Sequence, residues 1–330
     1  MVFEDNYQAA RRRAAVIDRV NHGRLIVSGP DRASYLQGLL TNDVVALTRG
    51  QGCYAAYLTP QGRMIADLFV YELGDVMLLM LPQAVKDVVL ARLNQFIFAE
   101  DVQLGDVTES FAQIGVVGPE AAQQLGRLGV LVASSEMLAA LPEHGNARVQ
   151  FGTEPAIVAR VTDTGEPGFD IYVEKSLAAA LKSVLAAAGV RTLDDDTAEA
   201  IRIEAGVPRF GQDMDEETIP LEAGIESRAI SFTKGCYVGQ EVIVRVLHRG
   251  HGRVARKLVG LVSDSESTPR PGSRVRANDR EVGHVTSSAF SPSLRKPIAL
   301  AYLHRDFLTV GTTVSIDGIS ATVTPLPFAP

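Results

Sequence analysis

The sequence predicts an α+β protein, with two interleaved ferredoxin-like α+β lobes over residues 1–250 and a C-terminal β-barrel over residues 251–330. Three observations carry this. The stretch Ile26-Val-Ser-Gly-Pro-Asp-Arg-Ala33 is echoed by Gly115-Val-Val-Gly-Pro-Glu-Ala-Ala122, so a strand–Gly-Pro-acid–helix unit occurs twice, as two crossover units require. Strands rich in β-branched and aromatic residues alternate with amphipathic helices up to about residue 205. From Gly252 onward the texture changes to short β-branched segments separated by Gly/Pro turns, the pattern of a small barrel.

Residues 5–20 read as a helix, with Ala9, Ala10, Ala14 and Ala15 among arginines, and Arg24–Ser28 as a strand. Ser28 then caps a helix that carries Pro30 in its first turn and Asp31 at its positive end, with Ala33, Leu36, Leu39 and Leu40 on one face. Cys53–Leu58, Met64–Leu73 and Val76–Leu81 are strands turned by Thr59–Gly62 and Gly74-Asp75. Gln83–Phe96 is an amphipathic helix. Ser110–Val117 is a strand whose helix starts at Gly118-Pro-Glu-Ala121. Val149–Val161 and Gly168–Val173 are strands around the loop Thr162–Pro167. Ser176–Ala188 is a helix stopped by Gly189, and the acids Asp194–Asp196 open another that runs to about Ala205. Gly206–Thr233 is irregular, and a loop that long inside a compact domain is functional or disordered. Glu241–His248 stays open: its Val-Ile-Val run favours a strand, whereas a helix starting near Gly239 would favour a thiolate at Cys236.

Composition narrows the function. The chain has 330 residues, 46% hydrophobic and 22% charged, enough for two or three real cores. A net charge of −7 argues against broad electrostatic binding of nucleic acid or anionic lipid. No apolar run approaches a membrane span, and the N-terminus lacks a signal peptide's apolar core, so the expected location is the cytoplasm. Two distant cysteines, Cys53 and Cys236, make no disulfide framework and cannot supply four ligands to an iron–sulfur cluster. The six histidines fall in no metal-binding spacing.

The chemistry concentrates in Lys234-Gly-Cys-Tyr-Val-Gly-Gln-Glu241. Gly235 and Gly239 permit a tight turn that can present Cys236 outward. Lys234 precedes the sulfur by two residues, and Arg245, His248, Arg249, His251 and Arg253 follow. Nearby positive charge stabilises a thiolate and makes it a better nucleophile or ligand. The plainer alternative is a buried, inert cysteine. The basic segment Arg245–Lys257 either attracts an acidic partner or is a solvated face.

This octapeptide resembles the signature of the YgfZ family of folate-binding proteins, relatives of the aminomethyltransferase (T-protein) of the glycine cleavage system. The resemblance extends along the chain through Ser28-Gly-Pro-Asp-Arg-Ala33, Tyr35-Leu-Gln37, Thr41-Asn-Asp-Val44, Thr164-Gly-Glu-Pro-Gly-Phe169, Ile201-Arg-Ile-Glu-Ala-Gly206 and Ile219-Pro-Leu-Glu-Ala-Gly224, in family order. It implies a T-protein-like ring of three domains, with tetrahydrofolate bound in the middle. A carboxylate can accept the exocyclic amine and ring N–H of a pterin together, and the resemblance gives that part to Glu166. It brings Arg202 to the folate, and it adds Tyr237, Gln240 and Glu241 of the signature turn as cofactor-binding candidates. Cys236, Lys234 and Asp67 are the candidate catalytic groups. In aminomethyltransferases the matching strand reads V-[IL]-D-D-L; here it is Met64-Ile-Ala-Asp-Leu68, with Ala66 in place of the first acid. The implied role is assembly or repair of iron–sulfur clusters in client enzymes, tRNA-modifying ones included, through protein partners and without direct nucleic-acid or membrane contact. The alternatives are a folate-dependent one-carbon (aminomethyl) transferase, and a folate-binding scaffold in which Cys236 is structural.

Overall fold

The structure, a computed structural model, describes residues 2–129, 131–248 and 252–328. Helix α1 (Val2–Arg12) stops earlier than expected, and the chain turns straight into strand β1 (Ala15–Asp18). Alanine content does not distinguish the two states; Val16 and Ile17 are buried between sheet neighbours, and that packing decides.

The first lobe runs through β2 (His22–Ser28), α2 (Arg32–Leu39), β3 (Gly52–Leu58), β4 (Met64–Glu72), β5 (Val76–Pro82), α3 (Lys86–Gln95) and β6 (Gln103–Asp106). Its sheet has the order β3-β4-β5-β2-β6, a ferredoxin-like sheet with β3 added at one edge. Leu36 and Leu39 of α2 and Val89 and Leu93 of α3 cover one face, where Leu25, Tyr57, Leu68 and Leu79 form the core. The second lobe repeats the plan: β7 (Phe111–Val117), α4 (Ala121–Arg127), α5 (Ser135–Ala140), β8 (Asn146–Phe151), β9 (Glu154–Val161), β10 (Gly168–Glu174), α6 (Ala178–Ala187) and β11 (Arg191–Thr192). Its sheet order is β11-β1-β7-β10-β9-β8, with β1 of the first segment inserted. The stretch expected as one strand, Val149–Val161, is a hairpin that reverses at Gly152 (φ 63°).

The Gly-Pro echo is a structural repeat. Gly29 (φ 101°) and Gly118 (φ 120°) share a conformation that side chains avoid. A Cβ would lie 2.0 Å from the Asp101 carbonyl at the first and 2.6 Å from the Arg13 carbonyl at the second. Ser28 does not cap α2: Asp31 occupies the N-cap without a side-chain cap bond, and its carboxylate instead accepts from the Asp101 amide at 2.8 Å.

The two sheets meet through their helix-free faces. Tyr71, Leu73, Leu78 and Met80 of the first lobe pack on Ala159 and Tyr172 of the second. After α7 (Asp195–Glu204), the segment expected to be irregular is ordered, with α8 (Pro220–Ala223) and α9 (Glu226–Ala229) laid over the outer part of β3 and β4. Glu241–His248 is helical, as α10 (Gln240–His248). Ile243 is buried beside Tyr237 and Met64, with Val246 and Leu247 packed on the same cluster, and this tertiary contact overrides β-branched propensity. The expected boundary near residue 250, and with it Arg249 and His251, lies outside the described residues.

The C-terminal strands β12 (Arg256–Ser263), β13 (Arg274–Ala277), β14 (Arg280–Ser291), β15 (Lys296–His304), β16 (Thr313–Ile316) and β17 (Ile319–Thr324) close into a barrel of order β12-β15-β14-β13-β16-β17. Among the described residues no helix is long and apolar enough to cross a membrane.

Candidate functional site

The cysteine turn is locked by backbone contacts. Gly239 (φ 86°) sits so close to the β3–β4 turn that a Cβ would lie 2.6 Å from the Thr59 carbonyl, and a Cβ on Gly62 would meet Val242 at 2.9 Å. The Val238 amide donates to Gly38 at 3.1 Å. Cys236 is exposed as a free thiol, with Gly235 open beside it. Lys234 does not serve the sulfur. Its Nζ donates to the carbonyls of Gln37, Leu40 and Asn42 at 2.7, 2.7 and 2.8 Å. All three ammonium protons therefore close the C-terminal end of α2, which leaves carbonyls without helical partners. Burial pulls the Lys234 pKa down to about 8. Tyr237 is buried beneath that ammonium, which lies 5.2 Å from its ring centroid. Gln240 and Glu241 open α10, with Glu241 exposed.

Glu166 and Arg202 do not meet the turn. Arg11 donates to Glu166 at 2.6 Å and to Glu204 at 2.5 Å, and Tyr7 donates to the same Glu204 carboxylate at 2.7 Å. The second oxygen of Glu166 has no protein partner among the described residues. Arg202 is buried with every N–H engaged: Glu199 at 3.0 and 2.5 Å, Asp213 at 2.7 Å, the Val207 carbonyl at 2.5 Å and Ser287 at 2.9 Å. It ties α7 and the segment after it to the barrel and has no donor left for a ligand, in contrast to the expected folate contact.

A different constellation forms where the lobes face each other. Successive residues of a strand point to opposite faces. Ala66 therefore points into the first lobe's hydrophobic core, while Asp67, Phe69 and Tyr71 point toward the second lobe. The missing first acid thus removes no carboxylate from the inter-lobe face. Tyr54 on β3 donates its hydroxyl to Asp67 at 2.7 Å, and the Arg228 guanidinium of α9 lies 5.4 Å from the Tyr54 ring. Aromatic rings continue inward: Tyr54–Phe69 at 5.0 Å, Phe69–His144 at 5.1 Å and Tyr71–Tyr172 at 6.3 Å. The floor is ionic. Arg19 forks onto Asp163 at 2.6 and 2.8 Å and reaches Asp170 at 3.1 Å, while Gln113 donates to Asp170 at 2.7 Å.

Electrostatics follow from this burial. Burial raises the Asp67 carboxyl above the usual range, against the Tyr54 hydrogen bond that lowers it. Burial likewise raises Asp170. At Asp163 burial opposes ionisation, but the Arg19 charge prevails and its pKa is lowered. Burial, aided by Arg19, holds His22 down to about 3. Among the described residues, the hydroxyls of Tyr71 and Tyr172, Oε1 of Gln113 and Nδ1 of His22 and of His144 are buried without hydrogen-bond partners. Buried polar atoms are nearly always paired, so unpaired ones gathered along the inter-lobe seam are groups that a polar ligand could meet. No group of His, Cys, Asp or Glu among the described residues could hold a metal ion.

Sequence reasoning found Asp67 and missed Tyr54, His144, Asp163, Asp170, Arg19 and Arg228. One signal was present: Asp170 interrupts an otherwise apolar strand, Gly168-Phe-Asp-Ile-Tyr-Val173, which a buried polar site explains.

Comparison with known proteins bears on the same fold. The GCVT N-terminal domain model matches residues 1–234, and the glycine cleavage T-protein C-terminal barrel domain model matches residues 256–329. Most of the cysteine turn and all of α10 fall between the two matches. An aminomethyltransferase of Geobacillus kaustophilus is 32% identical across 99% of this chain and 90% of its own length. Another, of Rubrobacter xylanophilus, is 33% identical across 98% of this chain and 85% of its own. The crystal structure of glycine cleavage system aminomethyltransferase T from Bartonella henselae shares the fold, with a TM-score of 0.89 at 24% identity over 99% of this chain and 89% of that one.

Proposed function

Since the chain belongs to the family of the glycine cleavage T-protein, we propose that it binds tetrahydrofolate between its two lobes and handles a one-carbon unit there, with Asp67 as the proton-transferring group. The observation that supports this most directly is Asp67 itself. It is the acid of the strand that faces the cleft, it has a raised pKa, and it is held from one side by Tyr54. A carboxyl tuned toward neutrality is suited to general acid–base work. The donor set fits a pterin: unpartnered hydroxyl, amide and imidazole atoms suit its polar edge, and Phe69 and Tyr54 suit its face.

Bound tetrahydrofolate would supply the amine that carries the one-carbon unit. The chain's residues do the rest. Tyr54 holds Oδ2 of Asp67, leaving Oδ1 to take or give a proton. Arg228 over the Tyr54 ring steadies that phenol and places positive charge at the mouth. The packed lobe faces exclude water from the floor. Arg202 holds the frame in this reading, and Glu166 contributes only through its unclaimed oxygen. Calorimetric titration with tetrahydrofolate tests the proposal: wild type binds, and Asp67→Asn binds but no longer supports transfer from a formaldehyde-derived adduct. Absence of any binding to wild type sinks it.

One observation favours a second reading, iron–sulfur cluster maintenance through Cys236: the thiol is exposed on a turn whose Gly239 sits tightly against the β3–β4 turn. That reading expects Cys236→Ser to fold normally yet fail to sustain the activity of client iron–sulfur enzymes in cells. Undiminished client activity would instead favour a scaffold.

A further inference from the structure

His144 stands on the short loop between α5 and β8, facing the first lobe. Its backbone is left-handed (φ 59°), a conformation that non-glycine residues keep only when their surroundings impose it. The surroundings do so. The amides of Gly145, Asn146 and Arg160 donate to Pro142, Gly50 and Gly145 at 2.8 Å each, and the Asn146 side chain donates to the Gln51 carbonyl at 2.9 Å. A Cβ on Gly52 would lie 2.5 Å from the His144 carbonyl, so the facing loop has been shaped to receive this one. The result is an imidazole set edge-on against Phe69, with an interplanar angle of 62°. Among the described residues its Nδ1 is buried without a hydrogen-bond partner, and its Nε2 stays 3.7 Å from the Glu143 carboxylate, beyond hydrogen-bond length. The charged groups facing it are Glu143 on its own loop, Arg228 on α9 and Asp163 on the β9–β10 loop. Burial keeps the ring neutral further into acid than an ordinary imidazole.

A histidine that only filled space would satisfy its ring nitrogen within the frame, since an unmet buried polar atom costs about 1–3 kcal/mol. Here the backbone is bent to hold the ring against Phe69 while its Nδ1 finds no hydrogen-bond partner among the described residues. We propose that His144 is a ligand-contacting, specificity-determining residue of the cleft, whose ring nitrogen hydrogen-bonds the edge of the bound pteridine while Phe69 fixes the ring plane. This deepens the folate reading and rests on it.

The test is calorimetric titration of the full-length protein with tetrahydrofolate, alongside thermal melts with and without it. His144→Gly keeps the left-handed backbone and removes the ring. His144→Asn tolerates that backbone and places an amide atom near the position of Nδ1. Affinity is expected to fall about tenfold in the glycine variant, as loss of one good hydrogen bond implies, and to recover in large part with asparagine. The ligand-induced rise in Tm should follow the same order. Wild-type affinity in the glycine variant overturns the inference and leaves the folate reading intact. So does equal weakness of both variants when their unliganded melts match wild type. Failure of wild type to bind overturns both.

Discussion

Lys234 and Asp67 are partly buried charged groups near the same β3–β4 hairpin, yet the protein treats them in opposite ways. Lys234 gives all three protons to carbonyls at the end of α2, around a turn where glycine backbones touch. Asp67 receives one hydrogen bond, from Tyr54, in a cleft where several other polar atoms lack partners. Where this fold satisfies its polar groups internally it becomes rigid; where it leaves them unmet beside aromatic faces it keeps groups that a polar ring could pair with. The residues crowded into eight positions of sequence are mostly of the first kind. Those of the second kind come from β2, β3, β4, β7, β10, α9 and three loops.

The contrast can be broken from either side. The largest effect is expected at the cleft, where Asp67→Asn should lower the rate of one-carbon transfer by about 10²–10⁴, the usual contribution of a positioned acid–base group, while folate binding persists. An unchanged rate would move the chemistry elsewhere. At the turn, Gly239→Ala should destabilise the fold by about 3 kcal/mol in urea unfolding, because a side chain there meets both a forbidden φ and the Thr59 carbonyl. Wild-type stability would show that the turn is not locked.

The third effect depends on pH. An unfolded His22 titrates near 6.5, and the folded one is held to about 3. Between those values the unfolded chain binds a proton that the folded one refuses. Stability is therefore fully present above the unfolded value and declines as pH falls, by at most about 1.4 kcal/mol per pH unit. His22→Gln should flatten that acid limb in urea midpoints measured from pH 7 to pH 4, and an unaltered slope would mean the ring titrates normally. The smallest effect is expected from Arg228→Ala. Its exposed cation over Tyr54 contributes about 0.5–1 kcal/mol, a two- to fivefold loss of folate affinity in the same titration.

Much of the architecture was legible. The repeated Gly-Pro-acid unit marked two like lobes because close backbone approach demands glycine at Gly29 and Gly118, and the six barrel strands announced themselves through β-branched runs between turns. The helical state of α10 could not be read, since Ile243 is decided by contact with residues such as Met64, far off in the chain. The orientation of Lys234 was equally hidden: proximity in sequence placed it near Cys236, but its partners are carbonyls almost two hundred positions earlier. Ala66 looked like a loss only until the alternation of β4 assigned it to the other face. Asp170 breaks an apolar run, but its part in the site, like that of Tyr172, shows only when a second sheet is laid against theirs.

The bonding of Arg202 reaches into heredity. Its fork and the neighbouring Asp213 grip Thr286 and Ser287 of β14, while Glu204 at the end of the same helix takes Ser291 and Ser293. A hybrid gene splicing this chain's lobes to a cousin's barrel would leave three buried charges short of partners unless those four hydroxyls crossed with it. Shuffling between lineages at that seam should therefore succeed only in blocks that carry both halves of the lock.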